Sequence, residues 1–161
     1  EELAGTISLE DYCKSWRQSS PTLREKRAII RKLANISKVL HENGINHRDY
    51  YLCHFLRADD GKIFEMADSL FLIDLHRVQI RNRSPRRWLE KDLAGLFYSA
   101  FDLPLNHRDI LCFLSIYRRE WLGGSTAELP AVVRRAVALY RKDFGQPPPP
   151  HILSIIEKVN Q

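Results

Sequence analysis

A long amphipathic segment near the start of the chain constrains the fold more than any other feature. Thr22 with Glu25 three residues later has the pattern of a capping box, and Gly44 stands where a helix would stop. Between these signals, apolar residues recur at helical spacing: Ile29, Leu33, Ile36 and Leu40. The pattern predicts a helix over 22–43 that buries one face against a larger core.

The segment that follows this helix has the pattern of short strands. "YLCHFL" at 51–56 is aromatic and apolar, "DDGK" is a hairpin turn signal, and "KIFEM" at 62–66 restarts the strand. "LFLIDL" at 70–75 is predicted to be a buried apolar run. Small β-hairpins are therefore expected between the long helix and the second half of the chain.

The other segments favour helices. Ser8 with Asp11 is an N-cap pair for a short helix, and Ser84-Pro85 is predicted to cap another. Three more helices are expected near 107–120, 129–143 and 150–159, the last one after an extended proline linker at 146–150. The predicted class is mainly α with small β-hairpins, an α+β fold.

Composition excludes several classes of protein. Among 161 residues there are 3 cysteines, an odd number without a C-x-x-C pair, which favours reduced thiols and disfavours a structural zinc. No apolar run approaches the ~20 residues that span a bilayer, so no transmembrane segment is expected. The net charge of +5 favours an anionic partner: nucleotides, phosphorylated glycolipid, nucleic acid or an acidic protein. The basic face of the helix at 22–43 also allows peripheral contact with an anionic membrane.

The tetrapeptide NHRD occurs twice, at 46–49 and 106–109. His-Arg-Asp is central to the catalytic loop of protein kinases, where the Asp receives the proton of the attacking hydroxyl. The second copy is better explained as a helix start, because Asn106 is a good N-cap and Asp109 lies at the third helical position. The first copy instead follows the long helix and precedes strands.

A second carboxylate supports the interpretation that the first NHRD copy is a catalytic loop. Asp74 lies 25 residues after Asp49, at the end of the apolar run. A kinase needs one carboxylate at the acceptor hydroxyl and one that holds Mg²⁺ against the ATP phosphates. A loop and a strand end separated by a hairpin can bring the two onto one edge of a cleft.

The stretches "GINHRDYYLCHFL", "LFLIDLHRVQIR" and "RRWLEKDLAGLFYSA" resemble the lipopolysaccharide core heptose (heptose I) kinase family of Gram-negative bacteria. The opening "EELAGTISLEDYC" is similar to that family's hinge between two lobes. The resemblance implies the C-terminal lobe of a protein-kinase-like fold. It also implies ATP with Mg, a lipopolysaccharide core acceptor, and a place in the cytoplasm, peripheral to the cytoplasmic face of the inner membrane.

The resemblance also assigns roles to residues. Asp49 is the catalytic residue and Asp74 the metal ligand, while His54 stands where kinases place a metal-binding Asn. Mg²⁺ prefers oxygen ligands, so a direct metal role for His54 competes with three alternatives: binding phosphate, acting through water, or packing as a hydrogen-bonded histidine. Asp92 resembles the buried Asp that fixes the backbone of the catalytic loop.

Further expected site residues lie on either side of these. His47 and Arg48 support the loop, and Glu2 and Leu3 of the hinge bind nucleotide. A cluster of arginines suited to phosphates and carboxylates is expected to bind the acceptor: Arg77, Arg81, Arg83 and Arg86.

The expected organisation is a hinge region at 1–7 and a kinase-like catalytic lobe at 8–161. A Gly-rich loop and a strand Lys, which a kinase also needs, are not found in the sequence. We therefore expect the N-terminal lobe to be absent from this chain, and the lobe alone to be inactive.

Two other functions are compatible with the sequence. One is a pseudokinase or scaffold that uses its basic surfaces to bind an acidic protein partner, an interpretation motivated by His54 and by the missing upper lobe. The other, nucleic-acid binding through the arginines, lacks interleaved aromatic residues and any recognised motif, so no nucleic acid is expected as partner.

Overall fold

The computed structural model describes residues 4–117 and 129–159, and within them the fold is mainly helical with two small antiparallel sheets. The predicted α+β class is confirmed. The helices are α1 (Leu9–Lys14), α2 (Leu23–Glu42), α3 (Arg86–Ser99), α4 (His107–Tyr117), α5 (Leu129–Phe144) and α6 (Pro150–Val159). The strands are β1 (Thr6–Ser8), β2 (Ile45–Asn46), β3 (Phe55–Ala58), β4 (Phe71–Leu72) and β5 (Gln79–Ile80).

The two sheets bring distant segments together. In the larger sheet β3 is the central strand, with β1 on one edge and β4 on the other. In the smaller sheet β2 pairs with β5, so that Asn46 lies opposite Gln79. This second pairing sets the first NHRD copy beside the arginine-rich segment that leads into α3.

Helix α2 begins and ends as its sequence predicts. The Thr22 hydroxyl accepts the Glu25 amide at 3.2 Å, although the Glu25 carboxylate accepts the hydroxyl of Tyr12 at 2.5 Å. After the helix, Gly44 has a φ of +71°, and a Cβ at this position would lie 1.8 Å from the carbonyl oxygen of Arg81. Only glycine fits here, because both the left-handed backbone and the close approach of the Arg81 backbone exclude a side chain.

The core forms where the helices pack against the loop segment. The buried face of α2 lies with α1, Tyr50 and Phe55 in one cluster, and α3 packs with α5 and α6 in another. Between the helices lies an apolar cavity of about 480 Å³, lined by residues of α2, α3, α4, α5 and α6. Asp49 and Asp74 do not line this cavity.

The predicted strand at 62–66 is wrong. Strand β3 already has a partner on each edge, so a hairpin has no free edge to join. The Arg57 guanidinium instead donates to the Lys62 carbonyl at 2.9 Å and to the Asp60 carboxylate at 2.8 Å. The Phe64 amide donates to the Tyr12 hydroxyl at 3.1 Å, so the segment is irregular and anchored by side chains.

The apolar run at 70–75 is also less buried and less regular than predicted. Only Phe71 and Leu72 form a strand, the outer one of its sheet, and Phe71 is 42% exposed. Leu75 lies in a short 3₁₀ turn after Asp74 and is 58% exposed. In "YLCHFL" the strand begins at Phe55, because Leu52–His54 form a 3₁₀ turn first.

The predicted helices are confirmed where the structure describes them. Helix α3 follows Pro85, α5 and α6 match their predicted ranges closely, and α6 begins at the last residue of the proline linker. The predicted helix at 107–120 is observed to Tyr117, and 118–120 lie outside the described residues. In the described part of the chain, no helix is both long and apolar enough to cross a bilayer.

Candidate active site

The backbone of the first NHRD copy is fixed by a buried carboxylate. Asp92, on α3 and only 1% exposed, accepts the amide of His47 at 2.7 Å and the amide of Arg48 at 2.8 Å. Arg48 has a φ of +78°, a conformation that non-glycine residues rarely adopt, so these two hydrogen bonds hold the loop in a shape it would not otherwise keep. Asp92 therefore lies where the predicted support of the loop requires it.

The same loop is tied to the segment that carries Asp74. The buried His47 ring uses Nε2 to donate to the carbonyl oxygen of Ile73 at 2.9 Å. Because Ile73 directly precedes Asp74, this bond sets the distance between the two predicted site carboxylates. His47 thus contacts both halves of the site, as expected of a support residue.

His54 bridges the backbone of Asp49 and the side chain of Asp74. The His54 Nδ1 bonds the Asp49 carbonyl oxygen at 2.6 Å, and its Nε2 lies 3.4 Å from Asp74 Oδ2. Asp74 has a φ of +61° and also contacts His76. The left-handed backbone at Asp74 turns the chain sharply after β4 and leaves its carboxylate about one third exposed.

The charge of Asp49 is balanced by an arginine. Arg77 donates to Asp49 Oδ1 at 2.8 Å, and the Asp49 side chain is 17% exposed. Nearby, burial and then the negative charge of Asp49 raise the pKa of the Tyr51 phenol, which keeps it a neutral donor beside the site. The site therefore places one arginine, one neutral phenol and two carboxylates at the same edge.

The donor set suits a magnesium ion that takes most of its ligands from elsewhere. Among residues 4–117 and 129–159, no group of three or more His, Cys, Asp or Glu side chains is arranged to hold a metal. Mg²⁺ is usually bound through one or two carboxylates together with substrate phosphates and water. Asp74, with His54 beside it, offers that kind of partial site.

The other predicted acceptor arginines do not converge on Asp49. Arg81 donates to the side chain of Asn46 at 2.6 Å and Arg86 to Glu90 at 2.9 Å, while Arg83 and Arg86 line the rim of the apolar cavity. Arg77 is the member of this group that contacts Asp49. The predicted nucleotide-binding residues Glu2 and Leu3 lie outside the described residues.

A layer of polar residues behind Asp92 was missed by sequence reasoning. His41, at the end of α2, places Nε2 3.5 Å from Asp92 Oδ2 and bonds the Tyr117 hydroxyl through Nδ1 at 2.6 Å. One turn earlier, the buried Ser37 bonds the Tyr50 hydroxyl at 2.9 Å. The available signal was the polar pair Ser37 and His41, which continues the apolar stripe of α2 at four-residue spacing.

The second NHRD copy is a helix cap. Asn106 Oδ1 accepts the amides of Arg108 and Asp109, while Asp109 Oδ2 accepts the Asn106 amide at 2.9 Å. Asp109 Oδ2 also pairs with Lys26 at 2.8 Å, below the protein surface. The predicted structural role of this copy is confirmed.

A loop fixed by a buried Asp, with a second carboxylate at the end of a nearby strand, is the arrangement expected of a protein-kinase-like fold. The family model of the "Lipopolysaccharide kinase (Kdo/WaaP) family" matches residues 1–117. The chain belongs to this family, as the sequence resemblance predicted.

Individual relatives agree with this assignment. The lipopolysaccharide core heptose(I) kinase WaaP of Escherichia coli is 48% identical over 119 residues, which cover 73% of this chain and 44% of the relative. That of Pseudomonas aeruginosa is 42% identical over 146 residues, covering 88% of this chain and 54% of the relative. The chain thus spans about half the length of the curated relatives it matches.

A solved structure shares the fold. It is described as WaaP in complex with acyl carrier protein and superposes with a TM-score of 0.77 at 42% identity, over 87% of this chain and 60% of that chain. The expected protein-kinase-like architecture is therefore confirmed.

Proposed function

We propose that this chain is the catalytic lobe of a kinase that transfers phosphate from ATP to a heptose hydroxyl of the lipopolysaccharide inner core. The observation that carries the proposal is the juxtaposition of Asp49 and Asp74 through His54, on a loop held by Asp92. The names of the relatives, all heptose(I) kinases of the lipopolysaccharide core, supply the acceptor. In this proposal residues 1–7 form the hinge, 8–161 form the lobe, and a nucleotide-binding lobe is supplied by sequence outside this chain.

Asp49 is the proton acceptor in the proposed reaction. Its Oδ1 is occupied by Arg77, so Oδ2 is the oxygen free to orient the acceptor hydroxyl and to take its proton. Arg77 holds the carboxylate in place through this contact. Asp74, with His54, would hold Mg²⁺, which when bound would supply positive charge against the ATP phosphates. Catalysis then rests mainly on positioning and charge balance.

The experiment is Asp49→Asn in the full-length protein, assayed for phosphate transfer from ATP to a heptose-bearing acceptor. Loss of a positioned base typically lowers the rate by ~10²–10⁴-fold, and we expect a loss in that range. Asp59→Asn is the matched control, because Asp59 is an exposed carboxylate at the end of β3. Unchanged turnover in the Asp49→Asn variant would contradict the role of Asp49 as proton acceptor.

The competing function is a scaffold without phosphate transfer. It is favoured by the histidine at position 54 and by the ion pair between Arg77 and Asp49, which occupies one oxygen of the proposed base. Mg²⁺-dependent binding of ATP to the full-length protein separates the two, because a scaffold without a metal site has no reason to bind ATP more tightly when Mg²⁺ is added.

Two partners follow from the same proposal. A structural neighbour is described in complex with acyl carrier protein, so we infer that this chain also binds an acidic carrier protein. A lipopolysaccharide acceptor places the enzyme in the cytoplasm, at the cytoplasmic face of the inner membrane. The net charge of +5 suits both the acidic protein and an anionic membrane surface.

A further inference from the structure

Four cationic side chains surround the indole of Trp88, and we call these five residues the Trp88 cluster. The guanidinium carbons of Arg48 and Arg87 lie 5.3 Å from the ring centroid, Lys91 Nζ lies 5.5 Å away, and the guanidinium carbon of Arg81 lies 6.0 Å away. They come from three segments: the loop that carries Asp49, the residue after β5, and the first turns of α3. The fold therefore gathers positive charge that is scattered in the sequence.

Nothing among the described residues neutralises this charge. None of the four cations forms an ion pair with a carboxylate in the described part of the chain; Arg81 bonds the amide oxygens of Asn46 and Gln79, which are neutral. The two carboxylates of α3, the helix that carries Trp88 itself, are engaged elsewhere. Glu90 pairs with Arg86 and Arg135, and Asp92 accepts the loop amides. An indole has two faces, and its attraction for cations cannot offset the mutual repulsion of four.

Three buried donors belong to the cluster or touch it, and they have no partner among the described protein groups. They are Arg48 Nε, the Trp88 indole Nε1 and the Asn46 side-chain amide nitrogen. Asn46 is completely buried, and because its Oδ1 already accepts from Arg81, the remaining group on its amide is a donor. All three unpartnered groups donate, so together with the cations they favour a ligand that is negatively charged and accepts hydrogen bonds.

We propose that the Trp88 cluster binds a phosphate group, either inorganic phosphate or a phosphate monoester carried by the acceptor glycolipid. A phosphate dianion brings up to two negative charges and several acceptor oxygens, which match the surplus of cations and donors better than a single carboxylate does. Arg87 is exposed, while Arg48 and Lys91 are half-buried, so the ligand enters from the Arg87 side. The phosphate site can exist whether or not Asp49 takes part in catalysis. Only the idea that the phosphate belongs to the acceptor glycolipid rests on the proposed function.

The position of the cluster gives the ligand a direct effect on the site. Arg48 precedes Asp49 in the chain, and its own backbone amide is bound by Asp92. A phosphate bound to the Arg48 guanidinium therefore restrains the loop through the Arg48 side chain. Asp92 restrains the same loop through the Arg48 backbone amide. An acceptor that carries a phosphate would in this way be anchored beside the residue that orients its hydroxyl.

The first test measures binding without turnover. Inorganic phosphate and methyl phosphate are titrated into the full-length protein at constant ionic strength by calorimetry. We expect Arg87→Gln with Lys91→Gln to weaken both by about tenfold or more, since two charge-assisted contacts are removed. The matched control is Arg141→Gln with Lys142→Gln, an exposed basic pair in the last turn of α5, with less than about a twofold change expected.

Binding that both double variants weaken equally, or that neither weakens, would overturn the proposal, as would no binding of either probe to the unaltered protein. Asp49→Asn must keep the phosphate affinity, because Asp49 is not part of the cluster. If that variant binds phosphate normally and the unaltered enzyme turns over no acceptor, the kinase proposal fails while this site stands.

The second test identifies the source of the phosphate. Turnover is compared on the acceptor glycolipid before and after its phosphates are removed enzymatically. If the Arg87→Gln/Lys91→Gln variant has a raised KM only for the intact acceptor, the site binds the acceptor's own phosphate. If the variant loses phosphate affinity but its KM is unchanged for both acceptors, the site binds free phosphate.

Discussion

At the scale of single residues, His54 contacts the backbone carbonyl oxygen of Asp49 and the carboxylate of Asp74 through its two ring nitrogens. A carbonyl oxygen only accepts, so the bond to Asp49 requires hydrogen on Nδ1. In the neutral ring Nε2 then presents a lone pair, 3.4 Å from the Asp74 carboxylate. Two groups rich in electrons face each other unless the ring is protonated or a cation lies between them. This geometry is compatible with a role at the metal, and that role stays a prediction.

The exchange of His54 tests this role at one position. We expect His54→Asn to keep most of the Mg²⁺-dependent transfer, because an amide oxygen is a ligand that Mg²⁺ accepts. His54→Ala removes the ligand, and we expect an apparent Mg²⁺ affinity or a rate lower by ~10–100-fold. The measurement is the initial rate against Mg²⁺ concentration for both variants. Equal behaviour of the Asn and Ala variants would contradict a metal role.

The residues of the candidate site could be predicted from the sequence wherever a motif fixes their spacing. The pair Asp49 and Asp74 was expected on one edge because a strand end follows a loop, and both do lie there. Their functional roles stay predictions. The ion pair from Arg77 was not foreseen, because a contact across 28 residues leaves no spacing signal in one sequence. The buried His41 was missed although it continues the apolar stripe of α2, because the spacing does not tell which polar group it contacts.

At the scale of elements, the second NHRD copy joins two helices. Lys26 on α2 reaches Asp109 Oδ2 at 2.8 Å and the carbonyl oxygen of Pro104 at 2.9 Å, at the N-terminus of α4. The two side chains are 11% and 5% exposed. Since Asp109 also closes the cap of α4, one carboxylate holds the start of that helix and its packing on α2.

We expect Lys26→Met to lower the free energy of unfolding by about 3 kcal/mol, because it leaves the Asp109 carboxylate buried without its cation. Urea unfolding measures the loss. The control is Arg17→Met, which breaks an ion pair of similar length (2.7 Å to Asp102) between side chains about half exposed, where about 1 kcal/mol or less is expected. Comparable losses in the two variants would mean that burial does not set the value of the Lys26 pair.

Helices were predicted better than strands for a physical reason. A helix closes its hydrogen bonds within itself, so caps such as Thr22 and stops such as Gly44 mark its ends locally. A strand needs a partner, and whether the segment 62–66 finds one depends on β1, which lies more than 50 residues away along the chain. Because β1 and β4 occupy both edges of β3, the segment 62–66 cannot pair with β3 despite the turn sequence before it.

At the scale of the whole molecule, one exposed face of α2 combines charge with apolar surface. Arg27 and Arg31 lie between the exposed Leu23 and Val39, all at multiples of four residues along the helix. Leu23 is 57% and Val39 58% exposed, although each is the kind of residue that folding usually buries. On a chain with a net charge of +5, this face suits an acidic protein that also offers an apolar contact.

We expect the affinity for an acidic carrier protein to depend on this face and on salt. Reversing two charges with Arg27→Glu and Arg31→Glu should weaken binding of an acyl carrier protein by more than about tenfold, because attraction becomes repulsion at the contact. Arg141→Glu with Lys142→Glu makes the same change in net charge on α5 and should cost less than about threefold, through the overall field alone. Binding is measured by calorimetry at two salt concentrations. If both pairs of substitutions weaken binding equally, the partner responds to the net charge of the chain and not to α2; if neither does, the acidic partner binds through other contacts.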